Sequence, residues 1–132
     1  MKDLHHHLSP AVAIAPAVAA ATATSAAIDL AGFNSAELIV QTGAIAGDGA
    51  FSVKLQHSDT TTGGDFVDVP ASGVLGSTPA TLAADSVYRL GYVGGTAGPK
   101  RYVRVVATKA SGTSIGLSAV IVRGDPHLTP AD

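Results

Sequence analysis

Three consecutive histidines, His5, His6 and His7, are the most concentrated set of potential metal ligands in the chain. Imidazole binds divalent metals, but adjacent positions on an extended arm do not preorganise a tetrahedral site, so no metal is expected there. His57, Ser58 and Asp59 are the residue types of a hydrolytic triad. That machinery depends on convergence in space rather than adjacency in sequence, and no G-x-S-x-G elbow accompanies them. Asp59, Asp65 and Asp68 surround one loop without the alternating spacing of a calcium loop, and they read as turn formers. Glu37, the only glutamate, has no second carboxylate near it for paired acid and base work. Residues 94–100 (GGTAGPK) look like a phosphate loop, but Pro99 precedes Lys100 and Arg101 follows it, so the hydroxyl position fails. Neither an enzyme nor a cofactor is expected.

Arg89, Arg101 and Arg104 lie close to Tyr88, Tyr92 and Tyr102 on two neighbouring predicted strands. Arginine with tyrosine is the mixture of interface hot spots and also of single-strand binders. The rest of the chain is not basic, so the three arginines are assigned to a protein interface. Tyr92 and Tyr102 flank the glycine-rich tip; Tyr102 is expected to be structural and Arg101 to face a partner.

The elements that must carry these residues are strands. Residues 37–42 (ELIVQT) are β-branched and apolar and run into Gly47-Asp48-Gly49, which reads as a strand and a hairpin loop. Phe51, Val53 and Leu55 alternate with Ser52, Lys54 and Gln56, the period of a strand with one dry and one wet face. Residues 58–65 are turn chemistry, residues 66–69 (FVDV) resume a short strand, and Pro70 ends it. Residues 70–86 read as a loop with one helical turn. Residues 87–93 and 102–108 read as a hairpin around the tip, and residues 114–123 form the last strand. About six strands without an amphipathic helix predict an all-β fold, an antiparallel β-sandwich or small barrel.

Length and composition narrow the function. At 132 residues the chain holds one domain, with residues 1–27 as an extended N-terminal arm, 28–126 as the β domain and 127–132 as a C-terminal tail. No cysteine is present, which removes disulfides, thiolate metal sites and a cysteine nucleophile. A net charge of -2 and a charged fraction of 14% leave too little positive field for general nucleic-acid binding. The same low charge leaves more of the exterior free for burial against neighbours.

Residues 11–27 carry an alanine-rich apolar run that imitates an export signal. Lys2 is offset by Asp3, however, and Pro10 and Pro16 interrupt the run. No uninterrupted apolar segment reaches the roughly 20 residues of a membrane-spanning helix, so no membrane is expected. Val12, Ile14, Pro16 and Val18 alternate with alanines, as in an extended edge segment. Together with Leu8 and Pro10 they form the candidate partner-binding arm, placed on a neighbour by strand addition, and its removal is expected to leave the β domain folded.

The segments SAELIVQTGAI, FSVKLQHSDT, GDFVDV, YRLGYVGG, KRYVRVVAT and AVIVRGDP, in this order, resemble a family of small proteins encoded among the head genes of tailed phages and prophages. The resemblance spans residues 10–126 and is most specific at LQHSD and at the two segments flanking the glycine tip. It implies a structural virion protein, a capsid decoration (cement) protein that sits as a homotrimer on the exterior of a shell of major capsid protein with the HK97-like fold. Assembly would take place in the host cytoplasm, and no catalytic residues carry over. Two other functions compete: a tail, neck or head-fibre component, and a secreted sugar-binding or adhesin module. The second is weakened by an aromatic content of 5%.

Overall fold

Alternating apolar and polar residues build strands wherever one face is buried, and the computed structural model, which describes residues 3–95 and 98–127, contains ten. They are β1 (Leu8–Ala19), β2 (Ala23–Thr24), β3 (Ile28–Asp29), β4 (Phe33–Ala46), β5 (Ala50–Ser58), β6 (Val67–Asp68), β7 (Val74–Leu75), β8 (Val87–Tyr92), β9 (Tyr102–Ser111) and β10 (Ser114–Pro126). Two single turns of 3-10 helix, Gly63–Asp65 and Ala71–Gly73, interrupt them. The strands form an antiparallel β-sandwich. One sheet has the order β1-β10-β4-β8-β7, and the other has the order β2-β9-β5-β6 with β3 also on β9.

The inward residues of the long strands meet between the sheets. Leu38 and Val40 of β4, Leu90 and Tyr92 of β8, and Ile115, Leu117 and Ile121 of β10 oppose Phe51, Val53 and Leu55 of β5 and Val103 and Val105 of β9. Leu82, in the loop before β8, is also fully buried, and its backbone N–H donates to the Phe51 carbonyl at 2.8 Å. Thr42 anchors the same loop: its hydroxyl donates to the Ala83 carbonyl at 2.6 Å and accepts the Ser86 N–H at 2.9 Å.

The two hairpins read from the sequence are instead connections between sheets. β4 and β5 lie in different sheets, as do β8 and β9. The turn at Gly47 and Asp48 is present, both at positive φ, with the Gly49 N–H donating to the Ala46 carbonyl at 3.2 Å. Beyond it the strands part, because alternation fixes which face of a strand is dry but not which strand it pairs with. The β9 to β10 corner at Gly112 (φ 80°) packs on this turn, and a Cβ at Gly112 would stand 2.2 Å from the Asp48 carbonyl oxygen. Only glycine fits both the conformation and the gap.

The N-terminal segment is extended, but it does not project as an arm. β1 pairs antiparallel with the chain's own β10 from Leu8 opposite Gly124 to Ala19 opposite Ile115. Ala11, Ala13, Ile14 and Ala19 pack on the core. Thr24 and Ser25 continue onto β9; the Ser25 hydroxyl accepts the Val105 N–H at 3.0 Å. At the other end His127 is tied to β4 through the Gly32 carbonyl and the Asn34 side chain at 2.8 and 2.9 Å. The remainder of the tail, residues 128–132, and the tip residues Thr96 and Ala97 lie outside the described residues.

Candidate functional site

Two bulges in β1 decide where its side chains point. The register with β10 slips between Val12 and Ile14 and again between Ile14 and Ala17. Each slip reverses the face, so Val12 points outward, Ile14 inward and Val18 outward again. Val12 and Val18 are 63% and 74% exposed. Ile14 packs on the core, so it is not available to a partner, contrary to the sequence expectation. Pro16 sits exposed at the second bulge, a position in a sheet where proline is tolerated.

The outward residues of the first sheet form continuous rows. Val12 opposes Val120, Val120 opposes Ile39, and Ile39 opposes Arg89. In the next row Pro10 opposes Val122, Val122 opposes Glu37, and Glu37 opposes Gly91, across which Leu75 lies. Leu8 lies over Gly124 in the same way. Val87 and Leu75 are 67% and 62% exposed, so the middle of the face is apolar and open, while the row of Val87 continues through Gln41 and Ser118. Glu37 and Arg89 are the charged residues in these rows, and among the described residues neither makes an ion pair.

The outer face of the second sheet is charged. Gln56 donates to Asp68 at 2.8 Å and accepts from Arg104 Nε at 2.8 Å, while Lys54 Nζ stands 3.0 Å from the same carboxylate. The Gln56 hydrogen bond, then Lys54, hold the Asp68 carboxyl below its ordinary range. The Arg104 guanidinium lies over the Phe66 ring, 4.4 Å from its centroid, and reaches the Gly63 carbonyl. Arg101 grips Asp29 through two hydrogen bonds of 3.0 Å, which depress the Asp29 carboxyl. It also lies over Tyr102, which is half-buried. The three arginines grouped by the sequence are therefore divided: Arg89 lies in the first sheet and Arg104 in the second, while Arg101 stands just ahead of β9.

The roles of the tyrosines are corrected as well. Tyr92, not Tyr102, is the core residue: it is 5% exposed, and its hydroxyl is 2.7 Å from His57 Nδ1 and accepts the Lys100 N–H at 2.8 Å. This pair links the two sheets, His57 from β5 and Tyr92 from β8. The Tyr92 hydroxyl thus joins the His57 ring and the Lys100 backbone through one oxygen. Burial, reinforced by the Lys100 charge, lowers the His57 pKa, and burial raises that of Tyr92.

The three residue types of a hydrolytic triad do not converge. His57 turns inward to Tyr92, while the Ser58 hydroxyl meets Thr60 and Asp59 pairs with Lys100 at 3.1 Å. Asp65 accepts from Thr60, so the three loop aspartates have separate partners. Asp3 takes up the histidine run, binding the His5 N–H at 2.7 Å, the His6 ring through its carboxylate and the His7 ring through its carbonyl. No cluster of three or more potential metal ligands occurs among the described residues.

Arg123, for which the sequence offers no signal beyond its place in a strand, ties β1 to the second sheet. It donates to the Ser9 carbonyl and hydroxyl at 3.2 and 2.8 Å and to the Asp29 carbonyl at 3.2 Å.

The fold and its faces define an antiparallel two-sheet β-sandwich with one apolar and one charged exterior. No protein-family model and no curated protein matches the sequence. Among solved structures, a chain described as "Structure of infectious bursal disease virus Gx strain" aligns over 93% of this chain, with 13% identity and a TM-score of 0.45. This chain spans 35% of that one.

Proposed function

We propose that the protein is a structural component of a tailed-phage virion, a decoration protein that binds the exterior of the major capsid protein shell and stabilises it by bridging neighbouring subunits. The observation that carries this reading is the division of the sandwich into two unlike outer faces. A sandwich of this kind has two surfaces to offer to neighbours. The motif resemblance to head-gene proteins supplies the shell as the partner.

The charged face suits attachment to a preformed shell. Arg104 is held in place by Gln56, Gly63 and Phe66 before any partner arrives, so little side-chain freedom is lost on binding. Arg101 is oriented by Asp29 in the same manner. Arginine and aromatic anchors of this kind dominate interface energies.

Heads lacking the protein, mixed with increasing amounts of it and pelleted, test the reading. Saturation at many copies per head is expected, with weaker binding at raised salt and for Arg104→Ala, assayed below the melting temperature of the variant. Absence of binding, or saturation at a few copies per head, would overturn shell decoration; the second result would favour a neck or tail location.

A further inference from the structure

The outer face of the first sheet has a self-complementary pattern. Its centre is apolar, formed by Val12, Val120, Val122 and Ile39, and its two charged residues are opposite in sign and diagonal to each other on adjacent strands. Glu37 opposes Gly91 while Ile39 opposes Arg89, so the two side chains are one row apart. We infer that this face binds a second copy of the chain, face to face about a two-fold axis lying between the sheets, with Glu37 of each copy against Arg89 of the other.

Symmetry makes the pairing efficient. In a two-fold interface a contact made from residue i to residue j is repeated from j to i. An axis running between Glu37 and Arg89 places each opposite the other's counterpart, so one geometric condition satisfies both charges in both copies. Valine, proline, isoleucine and leucine side chains then leave water around them, which is the main favourable term in association.

The size of the face sets an upper bound. β1, β4 and β10 are 12, 14 and 13 residues long, and β8 adds 6. At about 3.3 Å per residue and about 4.8 Å between strands, the face presents roughly 700 Å². A stable interface of ordinary size buries about 800 Å² on each partner.

The edge beside this face is a poor alternative. β1 already spends one side of its backbone on β10, and the other side is broken by Pro10, Pro16 and two bulges. These are the features that block strand-to-strand addition. Copies therefore meet by stacking sheets rather than by extending them.

The inference concerns free protein and stands or falls apart from shell attachment. Sedimentation of the purified chain over a range of concentrations should show a dimer, in place of the trimer that the family resemblance implies. Glu37→Arg and Arg89→Glu, each alone, should weaken dimerisation at least tenfold by setting like charges together, with a melting temperature equal to that of the wild type at concentrations where the wild type is monomeric. Mixed in equal amounts, the two variants should pair, because each supplies the charge the other lacks. A wild type that stays monomeric or forms trimers would overturn the inference, as would failure of the mixed variants to pair. So would a monomer whose Glu37 and Arg89 variants lose only shell binding, which would give this face to the capsid protein.

Discussion

The buried link between Tyr92 and His57 is the place where a single atom matters most to the fold. Tyr92→Phe keeps the ring and removes the hydroxyl, leaving His57 Nδ1 and the Lys100 N–H without their partner. Stranding buried polar groups costs about 1–3 kcal/mol, so chemical denaturation of this variant should show a loss of that size with an unchanged m-value. His57 also sets a pH dependence. Its folded pKa lies below the ordinary value of 6.5, so the unfolded chain takes up a proton first as pH falls. The stability due to neutral His57 is complete above pH 6.5 and declines below it until the folded pKa is passed. Denaturation midpoints should therefore fall between pH 7 and pH 5, and the slope should flatten in His57→Asn, whose amide replaces the ring without titrating. An equal slope in the variant would place the dependence elsewhere. None of this linkage is legible in the sequence. His57 was visible there only as a neighbour of Ser58 and Asp59, and its contact with Tyr92 is made across the sandwich.

Among the elements, β1 changes most between sequence and structure. Its alternating apolar residues indicated an extended segment correctly, but bulges carry no sequence signature as strong as the alternation they interrupt. Removal of residues 1–24 should therefore damage the domain itself. It exposes the inner face of β10 where Ile14 and three alanines packed, and it strips Arg123 of both Ser9 contacts. Thermal unfolding should show a marked drop in melting temperature or failure to fold; a deletion variant that melts like the full chain would show β1 to be dispensable. β5 was the easiest strand to read, since Phe51, Val53 and Leu55 are all buried as their spacing requires. β4 and β10 carried a further signal. Leu38-Ile39-Val40 and Ala119-Val120-Ile121-Val122 are continuous apolar runs, and a strand apolar at consecutive positions has no wet face. The open apolar face could have been found from these runs; its pairing with β1 and β8 could not.

At the scale of the molecule, the sandwich places two different surfaces back to back about one shared core. The division arises because β10 and β4 turn apolar residues both ways, whereas β5 and β9 alternate with Lys54, Gln56, Arg104 and Thr108. The all-β class and the absence of helices longer than one turn among the described residues follow from that alternation and from glycine-rich corners. The assignment of strands to sheets depended on long-range pairing that no local pattern encodes. The central claim, that the protein covers a phage head, is tested most directly by electron cryo-microscopy of protein-depleted heads after incubation with the purified chain. The account predicts sandwich-shaped density repeated across the shell at equivalent positions on capsid subunits, with the charged face of the second sheet toward the shell. Density confined to the neck or tail, or bare heads at saturating protein, would contradict it.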